Sequence, residues 1–404
     1  IREATEGRSF DSIIEDEYYK IDDDFSKKVY ALVSCFHQHG ALARIDLLAK
    51  VLNISLQDFY MYTKDSLLGV IIHESIKDGA TEYALRTRHR IIASIIWNRC
   101  LSTAEKDSIL HSSISGLSLI YRLDKEAFDC FVFSDNMVDS LSSTESKIQF
   151  FERACRMAPD SPFVRQHYAR MLLRTGNYTS AISIIEQSIL MSPNNNQLYH
   201  TKGHILYNMA LTSESIEVGR KFCGQSEEAY LTALRLNDKD AYCYQGLISL
   251  YLGWARKSTE ESEKNLYLSK AEEIVEIGLQ KARDKESIWI SASYIDDYIG
   301  DIPNRIKSLE MALKNAPGSA ISQYLLAKAY FQNNDFSQAQ TALERIVFDH
   351  PENYRASIEL AKVIIQTKND IKNAIAVMQQ STLFGYSDCR FISMLGGLLF
   401  LDRE

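Results

Sequence analysis

PFVRQHYARMLLRTGNYTSAISIIEQSILMSPNN, residues 162–195, reads as two helices joined by a short turn. Tyr168, Ala169 and Leu172 recur at helical spacing on one face of the first helix, and Gly176 opens the turn. Ala181, Ile185 and Ser188 form the packing face of the second helix. Pro193 ends it, because proline cannot continue the hydrogen-bond ladder. Pro159 stands 34 residues before Pro193, and Pro317 stands 34 residues before Pro351. A stop signal recurring at one interval predicts a stacked array of helical hairpins.

The same template fits further along. From Glu286 it places Trp289 at the bulky position, Ser293 at the small one, Gly300 in the turn, Leu309 and Ala312 in the second helix and Pro317 at the stop. From Ala320 it places Ala327, Tyr330, Ala339, Leu343 and Pro351 in register, and from Tyr354 it places Ala361 and Ile364. Two middle units are longer by about eleven residues than a 34-residue template. Tyr199, Gly203, Leu206, Ser226, Tyr230 and Ala233 mark one. Tyr242, Gly246, Ala271, Val275 and Gly278 mark the other, around the polar insert RKSTEESEKN, residues 256–265. These units resemble tetratricopeptide repeats, about seven of them over residues 128–404. The resemblance is specific at 162, 286 and 320 and weaker elsewhere.

Composition agrees with a helical array. The chain has 404 residues, 6 prolines, 17 glycines and 46% hydrophobic residues. That length exceeds one compact core. No apolar run is long enough to span a bilayer, and no secretory leader is expected. The 7 cysteines include no C-x-x-C pair, which reads as reduced thiols in a cytoplasmic protein. A net charge of −8 disfavours broad nucleic-acid binding.

The first hundred residues differ. FSKKVYALVSCFHQHG, residues 25–40, carries Val29, Leu32, Val33 and Phe36 as a helical stripe closed by glycine, with Asp22, Asp23 and Asp24 at its start. Asp46 to Leu52 makes a second helix. Ser55 caps a third, with Leu56, Phe59 and Leu67 among its apolar residues. VIIHES and TEYAL, joined across Lys77, Asp78 and Gly79, read as a hairpin. Three helices and a hairpin describe a winged helix. Its third helix suits DNA poorly, since the only cation there is Lys64, set against Asp58 and Asp65. A helix then starts near Thr87, which reads as its N-cap, with Ile91, Ile92, Ile95 and Ile96 at helical spacing. Arg88, His89 and Arg90 crowd that start, a run that calls for an anion or a carboxylate. Either local acidic residues pair with them, or they lie solvated, or they contact a nucleotide phosphate.

The order of these parts is similar to the downstream half of STAND-type NTPases, the antiviral bacterial class above all. FSKKVYALVSCFHQHGALARIDLLAKVLNIS, YALRTRHRIIASII and the leader REATEGRSFDSIIEDEYYKI carry the likeness. The resemblance implies a mainly α chain: residues 1–24 end an upstream helical segment, 25–100 are a winged helix, 101–127 connect, and 128–404 are the tetratricopeptide-like solenoid. It implies a sensor that binds a phage protein, structural or packaging, and relays this to an NTPase and effector, with self-association in the activated protein. No G-x-x-x-x-G-K-[ST] loop occurs, so ATP and Mg²⁺ would belong to an upstream part, and none is expected in this chain. The start at Ile1 fits a fragment. A complete chain would instead be a free-standing scaffold, and a DNA-binding regulator is the remaining reading.

No catalytic constellation emerges from spacing. His200 and His204 lie i, i+4 but lack a third ligand, and Cys35, His37 and His39 read as structural, so no metal is expected. In the repeat template the first helix of each unit lines the binding groove. Counting along each unit places Arg170, His200, His204, Tyr207, Tyr251, Tyr294, Tyr298, Tyr324, Lys328, Phe331 and Lys362 there. Tyrosines suit a protein interface. Gln166 and Arg170 replace the lysine and asparagine expected of a chaperone-tail clamp.

Overall fold

The computed structural model describes residues 10–63, 67, 69–78, 80–351, 353–382 and 389–402, and they divide into two compact units, 1–193 and 194–404. The fold is mainly helical, with 22 α-helices among the described residues.

In the first unit α1 (Phe10–Tyr19) precedes α2 (Asp24–His37). Asp23 caps α2, its carboxylate accepting from the Ser26 amide at 2.8 Å. The expected stripe of α2 is fully buried: Val29, Val33 and Phe36 are 0% exposed and Leu32 is 3%. Gly40 ends the stretch at φ +89°, a left-handed conformation that a side chain would strain. β1 (Ala43–Arg44), α3 (Ile45–Leu52) and α4 (Leu56–Thr63) follow, then the antiparallel pair β2 (Ile71–Asp78) and β3 (Ala80–Thr87). The Ser55 hydroxyl accepts from the Asp58 amide at 3.1 Å and so caps α4. The sheet order is β1-β3-β2, with Ile71 opposite Thr87 and Ala43 opposite Leu85. Gly79, Lys64 and Asp65 lie outside the described residues.

α5 (Arg90–Ile95) runs into a π-helical turn, Ile96–Cys100. Its N-cap is His89, whose Nδ1 accepts from the Ile91 amide at 3.2 Å, not the expected Thr87. Thr87 belongs to β3, and its hydroxyl donates to the His89 carbonyl at 2.8 Å. Strand pairing thus holds Thr87 in extended geometry, and the helix starts three residues later. α6 (Thr103–Gly116) opens on a capping box of Ser102 and Glu105. α7 (Arg122–Val132), α8 (Asp135–Asp139) and α9 (Thr144–Met157) lead to the hairpin α10 (Pro162–Arg174) and α11 (Tyr178–Met191). One buried ion pair ties the sheet to α7: Arg44 Nε and Asp124 Oδ1 are 3.0 Å apart, with side chains 7% and 1% exposed. The Ser118 amide also donates to Asp124 at 2.9 Å, and the Arg44 guanidinium lies 3.8 Å from the Tyr121 ring centroid.

The second unit is five helical hairpins and a last helix. They are α12 (Asn196–Thr212) with α13 (Ile216–Leu236), α14 (Ala241–Lys257) with α15 (Glu261–Lys281), α16 (Lys285–Ile299) with α17 (Ile302–Asn315), α18 (Ala320–Gln332) with α19 (Phe336–Asp349), α20 (Tyr354–Lys368) with α21 (Ile371–Thr382), and then α22 (Cys389–Leu401). The small residues of the template are buried where helices approach closely: Ser293, Ala327, Ala339 and Ala361 are 0% exposed. The extra length of the two middle units is not a loop. It extends α13 and α15 to 21 residues each, against 14 in α11, α17 and α19. These extensions pack on each other. Trp254 Nε1 donates to Glu263 at 3.2 Å, Arg220 reaches both oxygens of Glu263, and Tyr267 stands 5.8 Å from Tyr251.

Candidate protein-binding face

The small residues of the second unit's hairpins are buried where helices meet, while one side of the first helices α12, α16, α18 and α20 keeps residues open to solvent. On α16 and α18 that side is aromatic. Tyr294 is 40% exposed, and Tyr298, Tyr324 and Phe331 are half-buried. Burial pushes the Tyr294 and Tyr324 phenols above their ordinary pKa. Tyr298 donates weakly to the Ala255 carbonyl at 3.5 Å, and Arg256 lies 5.3 Å from its ring centroid. Lys328 sits 5.8 Å from the Tyr324 ring, Phe331 meets Phe336 edge-on at 5.5 Å, and Lys362 pairs with Glu359 at 3.0 Å. Arg305 fixes the rim: it is 3% exposed on α17 and its Nη1 binds both Asp297 of α16 and Gln332 of α18.

On α12, His204 is exposed and stacks on Tyr207 at 6.3 Å, and His200 meets Tyr230 edge-on at 5.6 Å. Tyr207 packs against Gly253, where an added Cβ would fall 3.0 Å from its ring. Among the described residues no group of three or more metal-ligand side chains forms. Tyr251 is a correction. It is 3% exposed, and its hydroxyl donates to Glu227 at 2.7 Å, so it belongs to the core. α14 is buried on most sides, and its first-helix surface is covered by neighbours that a count along one repeat does not see. Arg170 lies in the first unit and pairs with Asp135 at 3.4 Å.

The cationic run in the first unit meets a carboxylate of its own chain. Arg88 Nη2 donates to Glu17 Oε1 at 2.6 Å, and the Tyr30 hydroxyl donates to the same oxygen at 3.0 Å. Arg90 packs over Gly40, whose added Cβ would fall 3.1 Å from the guanidinium carbon. Asp107, His111 and Ser146 also come together. Ser146 Oγ donates to Asp107 at 2.6 Å and lies 2.8 Å from His111 Nε2. The serine proton therefore points to the carboxylate, leaving the imidazole to donate, which is the reverse of an activated nucleophile.

Comparison with known proteins places these features in a class. A tetratricopeptide-repeat family model matches residues 324–382. No curated protein matches the chain. Among solved structures, yeast Tom70 aligns with TM-score 0.53 and 13% identity over 78% of this chain and 58% of its own. A tetratricopeptide protein of Thermus thermophilus aligns with TM-score 0.41 and 13% identity over 51% of this chain and 100% of its own. A STAND ATPase with a tetratricopeptide repeat sensor from Pyrococcus horikoshii aligns with TM-score 0.42 and 15% identity over 98% of this chain and 62% of its own. The chain carries tetratricopeptide repeats in a solenoid fold, one that ordinarily serves as a protein-interaction scaffold. No helix among the described residues is long and apolar enough to cross a membrane.

Proposed function

We propose that this chain is a protein-binding sensor module, and that a polypeptide partner seats on the first-helix face of the second unit. The observation that carries this is the row Tyr294, Tyr298, Tyr324 and Phe331, left partly open while the small residues of the same helices are buried. Such rings offer rigid apolar area with a polar end.

The finer reading is the sensor half of an antiviral STAND NTPase. The element order α2-β1-α3-α4-β2-β3 of the first unit supports a winged helix and so that reading. In it the partner is a phage structural or packaging protein. The winged helix relays binding to an upstream NTPase that holds ATP and Mg²⁺, with self-association on activation in the cytoplasm. Capture from phage-infected bacterial lysate with the whole chain tests it. One enriched phage protein, lost with Tyr294→Ala plus Tyr324→Ala, supports the sensor. Host proteins captured regardless of infection would favour a free-standing scaffold.

The DNA-binding alternative is disfavoured by α4. Its sequence LQDFYMYT has no cation, and Tyr60, Met61 and Tyr62 are exposed on it. Neutralising phosphate charge, which supplies most of non-specific affinity, takes Lys or Arg.

A further inference from the structure

The second helices of the second unit leave a groove that the aromatic row does not use. It lies between α13 and α15 and encloses about 690 Å³, the size of a small-molecule site. Leu231 and Leu234, one turn apart on α13, line one wall, and Ile274 and Ile277, one turn apart on α15, line the other. All four pack on the core yet are only half-buried, so apolar surface stays open between the helices. Tyr244 of α14 also lines the groove, and its hydroxyl already donates to the Asp238 carbonyl at 2.9 Å.

Two links between helices build the polar end. The Arg283 amide donates to the Lys239 carbonyl at 3.2 Å, which ties the link after α15 to the link after α13. Lys239 and Lys281 thereby share one rim with Arg235 and Asp238. Arg235 is taken by Glu228 of its own helix at 2.6 Å. Lys281 reaches Asp238 only at 3.9 Å, between side chains 53% and 55% exposed, which is too long for a hydrogen bond and worth little as an ion pair. Lys239 has no side-chain partner among the described residues, which include every residue from 80 to 351. The groove in the corresponding place between α17, α18 and α19 encloses about 350 Å³, and its cation, Arg345, stands among neutral Gln323, Gln338 and Thr341. Size and charge set the α13–α15 groove apart from the gap between ordinary repeats.

We infer that this groove binds a small aliphatic carboxylate, with the carboxylate between Lys239 and Lys281 and the alkyl chain between the Leu and Ile walls. The ligand carboxylate takes the place of the loose Asp238 contact at Lys281, and Asp238 stays in solvent. Branched aliphatic walls one helical turn long suit a short alkyl chain, which gains from burial in proportion to its methylenes.

Octanoate, titrated into the whole chain carrying ¹³C-labelled Leu and Ile methyls, reads this directly. It should saturate one site and shift the methyl resonances of Leu231, Leu234, Ile274 and Ile277. Octanol binds about fivefold more weakly, and so does octanoate to Lys239→Gln plus Lys281→Gln, two exposed positions whose replacement leaves the fold intact. Each methylene removed from the chain weakens binding by up to about fourfold. Tyr294→Ala plus Tyr324→Ala leaves octanoate binding unchanged, so this site and the protein-binding face stand or fall separately. No saturable binding, or shifts confined to other methyls, overturns the inference. Octanol binding as tightly as octanoate, with the double Gln variant unaffected, overturns the carboxylate assignment. An amphipathic peptide that displaces octanoate at lower concentration than octanoate itself requires would make the groove a polypeptide site and overturn it too.

Discussion

Replacing Gly246 by Ala should destabilise the second unit, although alanine is the better helix former. Gly246 lies within α14, and an added Cβ would fall 2.5 Å from Tyr230 Cζ, 2.9 Å from Cδ1 and closer still to Cε1. Tyr230 is 1% exposed and cannot swing aside, because its other face packs on Gly203, where a Cβ would be 2.9 Å from the ring. Overpacking at a site that cannot relax costs about 3 kcal/mol, the upper end of the usual range. The helix preference of Ala over Gly returns about 1 kcal/mol. The net loss is therefore about 2 kcal/mol, or a fall in Tm of about 4–8 °C for a unit of this size. Gly224→Ala supplies the opposite sign: that glycine is also helical, in α13, but nothing lies within 4 Å of an added Cβ. It should gain about 0.5–1 kcal/mol. Urea unfolding followed by far-UV circular dichroism measures both. Equal or greater stability for Gly246→Ala would show that Tyr230 is not confined between the two glycines, and the close-packing argument would fail.

Three further outcomes are expected. Asp124→Asn leaves the Arg44 guanidinium buried with only the exposed Asp46 beside it, and should cost the first unit about 3 kcal/mol, read as faster native-state hydrogen exchange in α7; unchanged exchange contradicts it. His37 is 7% exposed, and burial together with the Arg86, Arg90 and His89 charges holds its pKa down to about 4. Its Nδ1 carries the proton, because the Thr87 hydroxyl 2.7 Å away already donates to the His89 carbonyl. The unfolded chain therefore binds a proton that the folded chain refuses, so stability is full above about pH 6.5 and falls by on the order of 3 kcal/mol as pH drops towards 4. His37→Gln should flatten that slope in the protection of α2 amides, and a slope unchanged by the substitution would assign it elsewhere. Ser102→Ala removes the α6 capping box and should cost about 1 kcal/mol by the same exchange measurement near Thr103 to Lys106, with no loss if water caps the helix equally well.

The hairpins could be read before the structure because their cause is local and repeated. A proline at a fixed interval, a glycine in the turn and small residues at helical spacing satisfy the same packing each time, so Ala181, Ile185, Ser188, Ser293, Leu309, Ala312, Ala327 and Ala361 are buried as expected. The β2–β3 pair was legible from two β-prone runs flanking an Asp-Gly, although Lys77 and Asp78, expected in the connection, pair with Thr81 and Ala80 as the end of β2. Tertiary contact decided the rest. Thr87 lost its capping role to a strand partner, and Tyr251 was claimed by Glu227 and the lengthened α13 and α15, which pack on α14 instead of looping out. Glu17 answers Arg88 across 71 residues, and Tyr354 of α20 meets Phe391 of α22 edge-on at 6.2 Å. Spacing along a chain reports neighbours within one or two helical turns. Charges brought together from distant helices are visible only once the helices have packed.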